Sequence, residues 1–304
     1  MMKTALKNSL LLLLSTFLLL GCSLPGLSGN ADNTVRIGTL TISESHVLGH
    51  IIRLMIEHNT DLKVEMIENL GSSIVQHKAL TDNQVDITAV RYTGTDLSGV
   101  LKMDPVSDPN KAMEIVQREF EERFDQTWFD SYGFSNTYAF TVTKELADAN
   151  QLKTVSDVKS IADEISLGVD NSWLKRKGDG YQGFIETYGY EFGEAFPMQT
   201  GLVYQAVSSG KMDVVLAYST DGRLKAFDLI ALEDDKHFFP PYEGSPVARN
   251  DFLAKHPEVR EILQKLSGKI STDLMTELNY EADVQKKEPA IVAKDFLEKN
   301  NYFE

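Results

Sequence analysis

Two short stretches of the chain place a tyrosine at the end of an apolar run, where its side chain could meet a ligand. Residues 85–95 read VDITAVRYTGT and residues 212–222 read MDVVLAYSTDG. In each, an Asp opens the run, and Tyr92 or Tyr218 ends it before small hydroxylated residues. A tyrosine can offer a ligand its ring face or its hydroxyl. A single tyrosine in such a place is more often a core residue, so the repetition is the informative observation.

The segments around these stretches alternate between strand and helix patterns. Strands are predicted at residues 35–38, 63–68, 85–91, 138–143, 165–169, 195–198 and 213–218. Helices are predicted at residues 43–58, 72–80, 181–188 and 201–209, after Asp108, and over most of 258–296. Ser43 is placed to cap the first of these helices. This alternation predicts an α/β protein with parallel-rich sheets flanked by helices.

The two tyrosine stretches belong to a weak internal repeat. A helix that follows Gly71 precedes the first Asp-led strand, and a helix that follows Gly201 precedes the second. Two such units suggest two similar lobes, each with a site at the carboxyl ends of its strands, where open parallel sheets bind ligands. A cleft between the lobes would face both tyrosines inward. Asp86 and Asp213, which open the strands, are predicted to make structural hydrogen bonds rather than to act in catalysis.

Composition limits the class of partner. The chain has 304 residues, 42% of them hydrophobic, and a formal net charge of -15. Nucleic acids and anionic membranes are recognised by basic patches, so neither is an expected partner. His46 and His50 have a spacing that can bind zinc, but no third ligand is evident. We expect a monomer that carries no metal and no cofactor.

The first residues have the features of a bacterial lipoprotein signal peptide. Lys3 and Lys7 precede the apolar run 10–20, which ends in Gly21 and Cys22. Such a run is too short to span a membrane as a helix. Residues 1–22 are therefore predicted to be a signal peptide, with Cys22, the only cysteine, as the lipidation site. The alternative is an ordinary secretory signal with a chance cysteine.

The segment after the signal peptide is rich in Gly, Ser, Asn and Pro. Residues 23–33 read SLPGLSGNADN, which is typical of a flexible tether. With a lipid on Cys22, the folded part would stand outside the cell, anchored to the outer face of the membrane, as in a Gram-positive bacterium. With one cysteine in the chain, no internal disulfide can form.

The residues also resemble a known family. Similarity is carried by residues 71–95, 137–140, 199–227 and the FFPPY run at 238–242, and it extends over essentially the whole mature chain. These segments resemble the substrate-binding lipoproteins of osmoprotectant ABC importers, which take up glycine betaine, carnitine, choline and related quaternary amines. The resemblance implies a two-lobed, type II periplasmic-binding-protein-like fold with a ligand cleft between the lobes. Lobe I would comprise residues 34–130 plus 233–304, and lobe II residues 131–232.

In that family a cage of tyrosines encloses the trimethylammonium head. By resemblance, the cage falls on Tyr92, Tyr138, Tyr218 and Tyr242, with Thr95 near the polar end of the ligand. A quaternary ammonium has no N–H to donate, so aromatic faces suit it better than an ion pair, at ~0.5–2 kcal/mol each. A neutral cage of this kind would depend little on salt. Since Thr95 is not acidic, we expect zwitterions to be accepted together with choline.

The carboxylate of betaine or carnitine needs hydrogen-bond donors. Ser72 and Ser73, at a helix start, and Thr93 and Thr95 are predicted to supply them. Many relatives carry a Gly-x-Lys-x-Phe-Thr-Glu-Gln run in which the Gln approaches the ligand. Here residues 38–45 read GTLTISES, with Ser45 in place of that Gln.

Other aromatic residues lack this support and are expected to pack in the core. They are Tyr132, Tyr188, Tyr190, Tyr204, Trp128 and Trp173. The favoured function is a solute-binding protein, not an enzyme, that delivers quaternary amines to a membrane permease. The alternatives are a same-fold protein for another solute such as an amino acid, a secreted enzyme acting on a small cation, and a sensor or adhesin.

Overall fold

A computed structural model of the protein describes residues 33–175, 180–199 and 202–303. The predicted signal peptide, Cys22 and the predicted tether up to residue 32 lie outside these residues. The strands are β1 (Thr34–Gly38), β2 (Lys63–Ile67), β3 (Ile87–Tyr92), β4 (Gln126–Trp128), β5 (Tyr138–Thr143), β6 (Ser166–Asp170), β7 (Glu194–Met198), β8 (Val214–Tyr218), β9 (Leu229–Ala231) and β10 (Gly244–Arg249).

Helices cover the sheets and most of the C-terminal region. They are α1 (Ser43–Asn59), α2 (Ser73–Thr81), α3 (Thr93–Gly99), α4 (Pro109–Phe124), α5 (Lys144–Asn150), α6 (Asn171–Lys175), α7 (Tyr181–Tyr188), α8 (Val203–Ser208), α9 (Gly222–Ala226), α10 (Asn250–Lys255), α11 (Pro257–Gln264), α12 (Thr272–Asn279) and α13 (Pro289–Lys299). Short 3-10 helices occupy Val155–Ser160 and Ala162–Glu164, and a π-helical turn, Tyr280–Val284, follows α12. Among the described residues, none of the helices combines the length and apolarity that a membrane span requires.

The strands form two five-stranded sheets. The first has the order β2-β1-β3-β10-β4, with β1 parallel to β3 and with β10 antiparallel to both β3 and β4. The second has the order β7-β6-β8-β5-β9, with β6 parallel to β7 and β8 and with β5 antiparallel to β8 and β9. The α/β class with two sheets flanked by helices is therefore confirmed, although both sheets mix parallel and antiparallel pairs.

Each sheet has its own apolar core. In the first, α1 packs Leu48, Ile51 and Ile52, all fully buried, against strands β1 and β3. In the second, Phe140 and Trp173 belong to a separate aromatic cluster. The chain passes from the first sheet to the second between residues 128 and 138, and returns between 231 and 244. Two cores joined by two connections are the arrangement in which a cleft forms between lobes.

The interior strand β10 was not predicted from the sequence, and its segment GSPVAR contains Pro246. Proline cannot donate to a strand ladder, so it argues against a central strand unless a bulge accommodates it. Here the register with β3 shifts between Ser245 and Val247, which places Pro246 at an irregularity. Its carbonyl still accepts a hydrogen bond of 3.1 Å from the amide of Phe129. The strand therefore keeps its pairing on both sides.

The prediction that Ser43 caps the first helix is wrong. The N-cap of α1 is Ile42, which offers no side-chain acceptor. The hydroxyl of Ser43 instead donates to Asp283 in the π-helical turn. The hydroxyl of Ser45 accepts the amide of Leu40, so it fixes the loop that leads into the helix.

The two strand-opening aspartates have matching structural roles, as predicted. Asp86 accepts the amide of Arg36 at 2.9 Å, which ties β3 to β1. Asp213 accepts the amide and the hydroxyl of Ser166 at 2.8 and 2.7 Å, which ties β8 to β6. In both repeats, an Asp side chain therefore sets the register of two neighbouring strands by accepting a backbone amide.

Removal of the Asp213 carboxylate should destabilise the fold. Asp213→Ala leaves two partly buried donors of Ser166 without an acceptor, which costs about 1–3 kcal/mol. Urea unfolding of the mature protein measures this loss, and Asp61→Ala, at an exposed position, is the control. An Asp213→Ala variant as stable as the control would contradict the assigned role.

Candidate ligand-binding cleft

A cavity of about 740 Å³ lies where the carboxyl ends of strands from both sheets meet the connections between them. The four tyrosines predicted from the sequence, Tyr92, Tyr138, Tyr218 and Tyr242, line it together with Thr95. Tyr92 ends β3 of the first sheet, whereas Tyr138 and Tyr218 belong to the second. The cavity volume is in the range of small-molecule sites.

Tyr138 and Tyr218 are neighbours by strand register. They are directly paired in the antiparallel ladder of β5 and β8, so their side chains emerge on one face. Their rings stack with centroids 5.1 Å apart and an interplanar angle of 28°. The amide of Tyr218 donates to the hydroxyl of the buried Tyr204 at 3.1 Å, which fixes the end of β8. The pair forms one aromatic wall.

Tyr242 is held by the first residues of α3, which directly follows β3. The carbonyl of Pro241 accepts the hydroxyl of Thr93 at 2.9 Å and the amide of Gly94 at 3.0 Å. A Cβ on Gly94 would lie 2.7 Å from that carbonyl and 3.2 Å from the Tyr242 ring. Only glycine allows this close approach. Thr93 and Gly94 therefore position Tyr242 beside Thr95.

Glu44 is a wall residue that the tyrosine pattern did not reveal. It lies in the first turn of α1 and is only 3% exposed. Its carboxylate accepts hydrogen bonds from the hydroxyl of Tyr92 at 2.5 Å and from the amides of Asn136 and Asn279 at 3.2 and 3.0 Å. Thr220 is a further hydrogen-bond partner.

Burial has the largest effect on the pKa of Glu44. It raises the pKa of Glu44 above its ordinary value, although the hydrogen bonds from Tyr92, Thr220, Asn279 and Asn136 oppose the shift. Burial also raises the pKa of Tyr92 well above its ordinary value, and the adjacent Glu44 adds to this effect. Tyr92 is therefore a neutral phenol that donates to Glu44.

The cavity wall is not neutral, in contrast to the expectation from the sequence. Besides Glu44 it contains Asp221, Asp283 and Arg223. Arg223 donates to Asp221 at 2.9 and 2.6 Å, and its guanidinium lies 4.0 Å from the centroid of the Tyr204 ring. The formal charge of these four side chains is negative, which favours a cationic ligand.

Three predicted carboxylate donors lie elsewhere. Ser72 caps α2 by accepting the amide of Val75 at 3.3 Å, and Ser73 is buried beside it. Thr93 is fully buried, and its hydroxyl is engaged by Pro241. In the part of the chain that the structure describes, these three residues are not among those that line the cavity.

The loop before α1 contributes to the wall. Thr41 and Ile42 of this loop and Ser43, the first residue of α1, line the cavity, whereas Ser45 is fully buried and accepts the amide of Leu40. Glu44, next to the buried Ser45, therefore reaches the cavity from the start of α1 together with Ser43. The sequence signal for Glu44 is its match to the Glu of the Gly-x-Lys-x-Phe-Thr-Glu-Gln run, next to the Ser45 that replaces the Gln.

The remaining aromatic residues pack in the core, as predicted. Trp173 is fully buried and Trp128 is 3% exposed. The four tyrosines predicted to pack are also buried. Their hydroxyls are hydrogen-bonded to Ala89 for Tyr132, Asp234 for Tyr188, Val155 for Tyr190 and Tyr218 for Tyr204.

Two lobes around a cavity with aromatic and charged walls define a solute-binding protein of the periplasmic-binding-protein class. The chain belongs to the OpuAC family, described as the substrate binding domain of ABC-type glycine betaine transport systems, whose model matches residues 33–299. It is thus the substrate-binding component of an ABC importer, and such components are extracytoplasmic. The resemblance inferred from the sequence is confirmed.

Close relatives support this membership. The chain is 54% identical over 296 residues to the carnitine transport binding protein OpuCC of Listeria monocytogenes, a match that covers 97% of this chain and 96% of the relative. It is 32% identical to the ergothioneine transport permease/ergothioneine binding protein EgtU of Helicobacter pylori, covering 93% of this chain and 51% of that protein. These relatives are transport proteins.

A solved structure has the same architecture. The crystal structure of a glycine betaine/carnitine/choline ABC transporter protein superposes with a TM-score of 0.87 at 54% sequence identity. The match covers 89% of this chain and 100% of that one.

Proposed function

We propose that the cleft captures quaternary-amine osmoprotectants, namely glycine betaine, carnitine and choline, and delivers them to a membrane permease. The observation that carries the proposal is the convergence of Tyr92, Tyr138, Tyr218 and Tyr242 on one cavity. A trimethylammonium head would lie against the ring faces, each worth about 2 kcal/mol when desolvated. Several such contacts could supply most of the ~8 kcal/mol that micromolar binding requires.

The rest of the wall suits the polar end of a zwitterion. Thr95 offers a hydroxyl, and Arg223 is the one basic side chain among the described lining residues. Either can donate to a carboxylate, although Arg223 is also paired with Asp221. Choline, which has a hydroxyl in place of the carboxylate, would leave these contacts in part unused. The cleft would therefore accept both classes of quaternary amine.

Binding would be coupled to closure of the lobes. The proposed lobe boundaries, 34–130 plus 233–304 and 131–232, assign Tyr92 to one lobe and Tyr138 with Tyr218 to the other. A ligand held by rings from both lobes stabilises the closed form, which the permease would recognise. A lipid on Cys22 would keep the monomeric protein at the outer face of the cell membrane, near the permease.

Calorimetry across a ligand panel tests the proposal. Glycine betaine, carnitine, choline and ergothioneine carry a trimethylammonium group, whereas proline and histidine do not. We expect the mature protein to bind members of the first set and to show no comparable heat with the second. Binding of amino acids alone would identify a different solute, and consumption of ligand during long incubation would identify an enzyme.

A further inference from the structure

Glu44 is a buried acid that has no basic partner. The ion pairs among the described residues do not include it, although it is almost fully buried. An uncompensated buried carboxylate is unfavourable, and proteins normally provide such a group with a cation. Its carboxylate forms part of the cavity wall. The position where a compensating charge could lie is therefore the ligand cavity itself.

The neighbours of Glu44 provide hydrogen bonds without charge. Its partners are the phenol of Tyr92, the amides of Asn136 and Asn279, and Thr220, all of which are neutral. Neutral donors stabilise the ionised form of a carboxylate and leave its net charge in place. They come from β3, from the segments after β4 and β8, and from the end of α12. The group is thus held rigidly from four directions.

We propose that Glu44 is a specificity-determining residue that selects ligands by the positive charge of their head group. This inference rests on the proposed function, because it assigns a role within the same cleft. A negative charge at the hydroxyl end of Tyr92 attracts a cation and gives nothing to a neutral molecule of the same shape. The hydrogen bond from Tyr92 also increases the electron density of its ring, which strengthens a cation–π contact.

The charge state of Glu44 depends on whether a cation occupies the cleft. Burial raises the pKa of the carboxyl in the empty cleft, whereas a cation nearby favours the ionised form. A quaternary ammonium cannot hydrogen-bond to the carboxylate, so its attraction to the Glu44 charge in the cavity wall is electrostatic. Aromatic contact and charge selection are therefore separable contributions, and they can be measured separately.

A pair of ligands separates charge from shape. Choline and 3,3-dimethylbutan-1-ol have the same outline, but the second has a neutral carbon in place of the nitrogen. Their dissociation constants are measured for the mature wild type, for Glu44→Gln and for Glu57→Gln, an exposed position on the same helix. We expect Glu44→Gln to reduce the preference for choline over its isostere by about 30-fold. Glu57→Gln should retain the wild-type preference.

The outcomes distinguish this inference from the proposed function. If Glu44→Gln weakens both ligands in parallel, Glu44 acts only on structure and the inference fails. If choline binds the wild type and the preference is unchanged in Glu44→Gln, the inference alone fails. If the wild type binds no quaternary amine, the proposed function fails first.

A pH titration of the wild type supplies a second measurement if Glu44→Gln does not fold. As acid protonates Glu44, choline affinity should fall while the affinity for the isostere stays constant. Other charged groups face the same cavity, namely Asp221 and Arg223 beside α9 and Asp283 in the π-helical turn, and Tyr92 bonds to Glu44 directly. The same titration of Asp283→Asn should keep this fall. A fall absent from Asp283→Asn would assign the effect to Asp283 and overturn the inference.

Discussion

Replacement of Tyr218 by alanine is expected to weaken the binding of glycine betaine or choline by roughly 30-fold, whereas Tyr218→Phe should cost less than about threefold. The alanine variant removes one ring of the stacked pair with Tyr138, and so both a cation–π contact and the support of its neighbour. Phenylalanine keeps the ring face. Isothermal calorimetry on the mature protein measures the difference directly.

Tyr302→Ala is a suitable control for this experiment. Tyr302 lies near the C-terminus, and its ring centroid is 5.7 Å from that of Phe296. It is not among the described residues that line the cavity. Its replacement should leave ligand affinity unchanged. Equal losses for Tyr218→Ala and Tyr218→Phe would mean that the hydroxyl, and not the ring face, holds the ligand.

Asp96→Asn is expected to lower stability by about 3–5 kcal/mol, because it leaves the buried Arg91 guanidinium without its counter-ion. Both side chains are fully buried, and Arg91 donates to Asp96 through Nε at 2.8 Å and Nη2 at 2.5 Å. Such a loss corresponds to a fall in melting temperature on the order of 10 °C. Thermal unfolding followed by circular dichroism measures it.

An exposed ion pair provides the comparison for that prediction. On the surface of α5, Lys144 Nζ lies 3.1 Å from Asp148 Oδ2. Asp148→Asn should therefore change stability by less than about 1 kcal/mol. The buried pair flanks Tyr92 and Thr95 in sequence, so loss of Asp96 should also weaken ligand binding. A stability of Asp96→Asn similar to that of Asp148→Asn would show that Arg91 finds another partner.

Local sequence patterns were sufficient to predict the strands that carry Tyr92, Tyr138 and Tyr218. The runs that end in Tyr92 and Tyr218 are apolar because both strands are central in their sheets and buried on both faces. Their repetition predicted two lobes, and similarity to a known family supplied Tyr138 and Tyr242. All four residues line one cavity in the structure.

Glu44 could not be predicted in this way, because its environment is created by residues distant in sequence. A Glu in the first turn of a helix usually indicates only a favourable interaction with the helix dipole. Its burial depends on Tyr92, Asn136, Thr220 and Asn279, which no local pattern connects. Strand β10 was not predicted for a related reason. Only its pairing with β3 and β4 shows that this proline-containing segment lies inside the sheet.

The position of β10 also has a consequence for biosynthesis. This strand separates β3 from β4, so the first sheet stays incomplete until the chain has been made past residue 249. The second sheet, from residue 138 to 231, is continuous in sequence and can form earlier. A nascent chain that stops before β10 would expose the unpaired edges of β3 and β4, and such edges promote aggregation. Late folding of this half is compatible with export of the chain in an unfolded state.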